Sequence, residues 1–302
     1  MKDARALTMT FLTPVSFASL NGSDKEADNI SNIKKITRET DQYPYVSAQA
    51  IRRALRDQLA VLGRKLSEGV TATIKKGAAT TQQDPEQFID DDLFGFMGTE
   101  EAKEGKKGKS TKRTSPVRVS PLVSLHKYEG DLDFATNFMG VEAGGDPNIF
   151  ETEIHSGLYR GTILIELDRV SYEKGDEGFN LPNNEKSARV NDFLTAFKNL
   201  WTSGRQTRFL ADISPKFIAA AMLRTKNPIF LESIIPKNGG INTDLVSETV
   251  KDFETEIVSD SGNKKALIFG ARKGLFSGVP EGTVSIGEAF NEMMKWIDEY
   301  YK

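Results

Sequence analysis

The sequence predicts an α+β fold in which four strands and two helices follow one another in the ferredoxin-like order β-α-β-β-α-β. Residues 6–11 and 158–170 alternate between apolar and polar side chains, as half-buried strands do. Residues 48–62 and 190–201 repeat apolar side chains at the spacing of amphipathic helices. Two long irregular stretches interrupt this succession and are expected to be insertions.

The first helix is expected to have an apolar side and a basic side. Ser47 is a suitable N-cap, and Gly63 marks the end of the helical pattern. Apolar side chains group around Ile51 on a helical projection. The opposite arc consists of Gln49, Arg52, Arg53 and Arg56.

Residues 69–120 are predicted to form an insertion that carries a mobile basic loop. Its part at 100–113 has six lysines and arginines against three glutamates and cannot form a core. A solvated loop without a partner is the alternative. A strand at 121–127 follows, and then about thirty residues (128–157) lead to the strand at 158–170. A connection of that length in a compact domain is usually functional or disordered.

The second half of the chain contains the most regular helical pattern, at 190–201, whose aromatic residues, Trp201 included, are expected in the core. Ser285 and Glu288 form a predicted capping box before a C-terminal helix. Further strands are predicted at 205–213, 219–222, 229–235 and 265–272, although 219–222 also fits a helix.

Composition excludes several kinds of chemistry. Among 302 residues there is no cysteine and there are two histidines, which excludes disulfides, thiolate zinc sites and a histidine-rich metal centre. Neither a long apolar run nor a signal-peptide pattern occurs, so we expect a soluble cytoplasmic protein without cofactor or metal. The aspartates at 90–92 could bind a divalent ion but are expected to form a solvated turn. Asp24 is likewise expected to form a turn.

Positive charge is concentrated in one region. The chain carries a formal net charge of −3, yet residues 34–65 contain eight lysines and arginines against three acids. Such a concentration suits a polyanion, and the predicted fold is one that RNA-recognition domains use. The sequence therefore leaves two interpretations of the basic arc open, nucleic-acid binding and an ordinary solvated helix face.

Several of these segments together resemble a known family. They are the loop SLNGSD at 19–24, the basic segment before YPYVSAQAIRRALR at 43–56, the basic insertion, and NFMG at 137–140 ahead of a glycine-containing strand. In this combination the chain resembles the Cascade backbone subunits of CRISPR systems, in particular the DevR branch of type I-B-like systems.

The resemblance implies a modified RNA-recognition palm, built from residues 1–68 and 121–302. It implies a finger-like insertion at 69–120 and a thumb-like β-hairpin loop at 128–157. Family members polymerise along a guide CRISPR RNA, displace guide bases periodically with the thumb, and support target DNA recognition without catalysis. The implied partners are guide RNA, target DNA, further copies of the chain and other Cascade subunits, with no membrane.

The resemblance also implies roles for individual residues. Guide RNA contacts are expected from Asn21, Lys34, Lys35, Arg38, Ser47, Gln49, Arg52, Arg53, Arg56, Phe138 and Met139, and we add Arg205 and Arg208. Lys106, Lys107, Lys109, Lys112 and Arg113 are expected to face the target strand. Two alternatives remain open: a type III-like RNA endonuclease that uses Asp24, and a DNA-binding regulator.

Overall fold

The computed structural model describes residues 1–22, 30–67, 70–71, 79–99, 110–137, 144–145, 148–175, 178–201 and 209–302. The helices are α1 (Ala48–Val61), α2 (Ile89–Phe94), α3 (Asn183–Lys198), α4 (Thr243–Asp252) and α5 (Ile286–Tyr301). The strands are β1 (Ala6–Ala18), β2 (Ile30–Ser31), β3 (Lys35–Arg38), β4 (Asp41–Val46), β5 (Val70–Thr71), β6 (Ala79–Thr80), β7 (Phe96–Thr99), β8 (Ser110–Arg113), β9 (Val117–Val119), β10 (Leu122–Ser124), β11 (Asp131–Asn137), β12 (Asn148–Glu166), β13 (Tyr172–Glu173), β14 (Phe179–Asn180), β15 (Phe217–Leu223), β16 (Pro236–Lys237), β17 (Gly240–Ile241) and β18 (Leu267–Ala271).

A large sheet with the strand order β18-β15-β1-β12-β10-β4-β3 organises the molecule, and each neighbouring pair in that order is antiparallel. In register, Met9 of β1 faces Ile163 of β12 on one side and Ala220 of β15 on the other. The long strand β12 extends past this sheet, where it pairs with β11 and β2. The predicted α+β class is confirmed.

Residues 6–13 of the first strand are buried on both faces, so the expectation of a half-buried strand at 6–11 is wrong. On one face, Phe11 packs edge-on against Phe197 of α3, with ring centroids 4.9 Å apart, in the core shared with α1 and α5. On the other face, the hydroxyls of Thr10 and Thr162 hydrogen-bond at 2.8 Å, and Leu12 joins a second apolar cluster with α4. The Thr10 hydroxyl can be buried there because its hydrogen bond to Thr162 satisfies it.

The predicted helix starts at Ser47 and Ser285 are confirmed. The Ser47 hydroxyl accepts a hydrogen bond from the backbone N–H of Ala50, at 3.3 Å. Ser285 and Glu288 form the full capping box at the start of α5. Both caps satisfy backbone donors that the first helical turn leaves unpaired.

The expectation of a solvated turn at 90–92 is wrong, because the three aspartates lie in α2 and are at most 1% exposed. Asp92 accepts hydrogen bonds from Arg113 at 2.6 Å and from Arg189 of α3 at 2.9 Å. Both the backbone N–H and the hydroxyl of Ser171 also donate to Asp92. Arg113 is thus a buried structural residue, 4% exposed, and the expectation that it faces a target strand is wrong.

Other differences lie in the second half. Residues 229–235 form turns rather than a strand, whereas the predicted strands at 219–222 and 265–272 are present as β15 and β18. Residues 209–213 are irregular apart from one bridge between Trp201 and Asp212. Trp201 is 43% exposed and does not belong to the core. Within the described residues, no helix is long and apolar enough to span a bilayer.

Candidate nucleic-acid interface

The polar arc of α1 holds three arginines in three different environments. Arg53 is the most exposed, with 75% of its side chain accessible, and it pairs with Asp57 one turn further on, at 3.0 Å. An exposed pair of this kind contributes little to stability and leaves the guanidinium free to exchange partners. Gln49 is also exposed, at the start of the helix.

Arg56 is held in place by α2. Its Nε donates to Asp90 Oδ2 at 3.1 Å, and its guanidinium lies 5.2 Å from the centre of the Phe94 ring. The other oxygen of Asp90 accepts a hydrogen bond from the backbone N–H of Ser67. Because Nε is occupied, the outer nitrogens of Arg56 are the groups left to meet a ligand.

Arg52 is partly buried and forms no ion pair with a carboxylate of the described residues. Its Nε is buried and has no hydrogen-bond partner in the part of the chain that the structure describes. Burial, together with the charges of Arg56 and Arg118, lowers the pKa of the Arg52 guanidinium. Arg118 lies on β9, 56% exposed, with Nε 2.5 Å from Glu166 Oε1. We call Arg52, Arg56 and Arg118 the arginine cluster.

An anion is what the arginine cluster lacks. The charges of Arg56 and Arg118 both act on Arg52, while the carboxylates of Asp90 and Glu166 engage only Arg56 and Arg118. A bound phosphate would supply acceptors for Arg52 and relieve the repulsion between like charges, since guanidinium geometry matches phosphate oxygens. The arginine cluster therefore has the charge and the hydrogen-bond donors that a phosphodiester would require.

The loop before α1 is tied to the start of the helix. Asn21 Oδ1 accepts a hydrogen bond from the backbone N–H of Ser47, at 2.9 Å, and the carbonyl of Asn21 accepts one from the N–H of Lys34. The side chains of Asn21 and Ser47 therefore position the backbone. Asp24 lies outside the described residues.

The β3–β4 hairpin carries the next basic residues. Lys35 pairs with Glu153 of β12 at 2.6 Å, and its ammonium lies 4.3 Å from the centre of the Tyr128 ring. Burial and the Glu153 carboxylate raise the pKa of the Tyr128 phenol. Arg38 is exposed beside the ring of Tyr43. Lys35 thus joins the hairpin to β12, and Arg38 remains accessible.

The match to known proteins covers most of the chain. The family model described as CRISPR-associated negative auto-regulator DevR/Csa2 matches residues 8–240. The chain belongs to the DevR/Csa2 family. A relative from Myxococcus xanthus (strain DK1622), the CRISPR-associated protein Cas7/Cst2/DevR, is 28% identical over 260 residues, which cover 80% of each protein.

Solved structures with the same fold come from CRISPR assemblies. A chain of a pre-nicking CRISPR RNA-guided surveillance complex superposes with a TM-score of 0.65 at 14% identity, covering 97% of this chain and 100% of the other. A second chain, from a CRISPR RNA-guided surveillance complex, gives 0.59 at 16% identity, covering 96% and 99%. These similarities show the fold.

In this DevR/Csa2 chain the structure brings only part of the predicted site together. Arg52 and Arg56 converge, and Arg118 joins them although the sequence analysis missed it. Nothing in the short strand VRV distinguishes an arginine beside α1 from any other surface arginine. Predicted site residues outside the described part of the chain are Phe138, Met139, Arg205, Arg208, Lys106, Lys107 and Lys109. Lys112 is described, and it is exposed on β8.

Proposed function

We propose that this protein is a CRISPR RNA-binding backbone subunit of a type I Cascade effector complex in the cytoplasm. Several copies would polymerise along one guide RNA, together with other Cascade subunits, and support recognition of target DNA without catalysis. Membership of the DevR/Csa2 family supports this function, and so does the fold shared with chains of RNA-guided surveillance complexes.

The observation that carries the proposal is the arginine cluster. Arg52 is partly buried beside two other guanidinium groups and has no acceptor for its Nε among the described residues. An isolated surface arginine would turn toward solvent, but the Arg52 side chain is partly buried on α1, which packs beside β9. Such a preorganised cation is suited to one phosphate of a nucleic-acid backbone.

The architecture fits a palm with two projections. Within the sheet, β15 lies beside β1, β1 beside β12, and β12 beside both β9 and β10. In the β-α-β-β-α-β succession, β15 is the fourth strand, β1 the first and β12 the third, and β9 and β10 together are the second. We assign the palm to this ferredoxin-like core, the finger to residues 69–120 and the thumb to the β11–β12 hairpin within 128–157. Of the finger residues expected to face the target strand, Lys106, Lys107, Lys109 and Lys112 would keep that role.

In this mechanism, sequence is read by base pairing and the protein reads the backbone. Arginines at phosphates fix the guide without selecting its sequence. The thumb, with Phe138 and Met139 at its tip, would displace a guide base at intervals. Unstacking a base costs a few kcal/mol per step, which contacts to the splayed base would offset.

Substituting Arg52 tests the proposal. Arg52→Gln removes the unpaired charge without breaking an ion pair seen in the structure, so guide RNA affinity should fall about tenfold while the folding midpoint stays nearly unchanged. The slope of log affinity against log salt should become shallower by about one unit. Filter binding over a salt series measures both quantities.

Lys295→Gln is the control, since Lys295 is an exposed cation on α5 with its own partner in Glu292. It should change affinity far less than Arg52→Gln. Equal affinity and equal salt slope for Arg52→Gln and the parent protein would contradict the proposed role of the arginine cluster.

A further inference from the structure

An exposed tryptophan lines a groove that contains no residue of the arginine cluster. Trp201 is 43% exposed just after α3, whereas Trp296, the other tryptophan, is 3% exposed in the core. The groove has a volume of about 750 Å³ and lies between the end of α3, residues 210–215, the end of β18 and the start of α5. This volume falls in the range of small-ligand sites.

One wall of the groove is rigidly built. The backbone of Trp201 pairs with Asp212 in an antiparallel bridge. Asp212 accepts a hydrogen bond from the Ser214 hydroxyl at 2.6 Å and lies 2.9 Å from the Lys216 ammonium. Burial alone would raise the pKa of Asp212, but the hydrogen bonds from Lys216 and Ser214 lower it, so the carboxylate stays charged and neutralised by Lys216.

The rest of the groove combines positive charge with apolar surface. Lys198 and Arg272 line it, and within the described ranges no carboxylate forms an ion pair with either. Leu210, 79% exposed, adds apolar surface to the lining of the groove. Because Asp212 is already neutralised, the groove presents net positive charge around an indole ring.

We propose that this groove binds one unstacked nucleotide of a single-stranded nucleic acid, with its base on the Trp201 indole and its phosphate between Lys198 and Arg272. An aromatic platform flanked by cations is the combination that single-strand binding sites use. The proposal rests on the function proposed above and adds a base contact to it. A protein partner would leave the two cations without acceptors unless it supplied matching carboxylates.

The groove and the start of α1 are connected through β1 and the segment that follows it. The hydroxyl of Thr13, in the second half of β1, donates to the backbone carbonyl of Asp212 at 3.5 Å. The segment after β1 holds the start of α1 through Asn21 and Ser47. Thr13 thus contacts the wall of the groove, and the chain that continues from β1 contacts the start of the arginine-bearing helix.

Tryptophan fluorescence tests this assignment directly. Because Trp296 is buried, quenching by a short single-stranded RNA should report Trp201. We expect quenching in the parent protein, none in Trp201→Phe, and none when the parent binds an abasic strand of equal length. Trp201→Ala should weaken RNA binding about tenfold, the effect of losing one stacked base. Tyr172→Ala, which removes an exposed aromatic outside the groove, should not.

Unchanged emission while filter binding shows the RNA bound would overturn the groove assignment and leave the proposed function standing. Equal quenching by the abasic strand would also overturn it. A spectral blue shift that depends on protein concentration without RNA would identify the groove as a contact between copies. If neither the parent nor any variant binds guide RNA, both proposals fail.

Discussion

At the scale of single residues, the strongest determinant of the fold is Asp92. This carboxylate is fully buried and receives hydrogen bonds from Arg113, Arg189 and Ser171, which come from the insertion, from α3 and from the segment after β12. It therefore joins three distant parts of the chain. Removing one member of such a network leaves buried charges without compensation.

We predict that Asp92→Asn lowers the free energy of unfolding by about 3 kcal/mol, because two buried guanidinium groups would share a neutral acceptor. Urea denaturation measures the loss. Asp244→Asn is the control, since Asp244 pairs with Lys237 on the exposed surface, and its midpoint should match that of the parent. Equal midpoints for both variants would show that the buried network does not stabilise the fold.

Asp91, the neighbour of Asp92, should have the opposite effect on the stability of the fold. Burial, with a contribution from the charge of Asp90, raises the pKa of Asp91, and its Oδ1 has no hydrogen-bond partner within the described residues. A carboxyl with a raised folded-state pKa binds its proton more tightly when folded. Its effect on stability is therefore unfavourable once the pH rises above the pKa in the unfolded chain.

Asp91→Asn should accordingly be more stable than the parent at pH 7. The gain should disappear as the pH falls below about 4, the ordinary pKa of an aspartate. Urea midpoints between pH 3.5 and 7.5 would show it, at roughly half-unit steps. A stability difference that does not vary with pH would rule out the titration of Asp91 as its cause.

At the scale of elements, local sequence patterns predicted those features that depend on neighbouring residues. The caps at Ser47 and Ser285, the apolar stripe of α3 and the alternation in β12 all depend on neighbours within a few residues. The burial of α2 depends instead on Arg113 and Arg189, which lie far away in the sequence. An acidic run such as 90–92 is predicted to be solvated when its distant partners are unknown.

In the candidate site, too, some features follow from the local sequence and others depend on tertiary contacts. The basic arc of α1 followed from helical periodicity, but the convergence of Arg118 with Arg52 depends on how β9 lies beside that helix. The exposure of Trp201 also depends on tertiary structure. Its spacing continues the apolar stripe of α3, yet the helix ends at Lys198 and the side chain falls beyond the packed face.

The β11–β12 hairpin exposes an apolar face. Leu132 and Phe134 are 51% and 62% exposed, and Ile149 on the partner strand is 45% exposed. Adjacent exposed apolar side chains of this size are unusual on a monomer and mark interaction sites. In the proposed assembly, this face of the thumb would be covered by RNA or by the next copy.

Replacing Leu132 and Phe134 together by Ser should leave the thermal midpoint of the monomer nearly unchanged and reduce the number of copies assembled on a guide. Sedimentation with and without RNA measures assembly. Leu275→Ser, at a residue equally exposed elsewhere, should affect neither property. A large loss of monomer stability with normal assembly would show that the hairpin face packs within its own chain.

At the scale of the whole molecule, positive charge is concentrated locally although the net charge is −3. The start of α1, the β3–β4 hairpin and the Trp201 groove bring Arg52, Arg38 and Lys198 to the surface around the sheet. This distribution explains how an acidic protein could bind RNA, since the local charge decides the contact and the net charge does not.

Native mass spectrometry of the protein purified with its guide tests the central claim most directly. The proposed function predicts a particle that contains one RNA and several copies of this chain, and Arg52→Gln should reduce the RNA-bound fraction. An RNA-free monomer, obtained while a guide is expressed in the same cells, would contradict the claim that this protein forms the backbone of a guide-RNA complex.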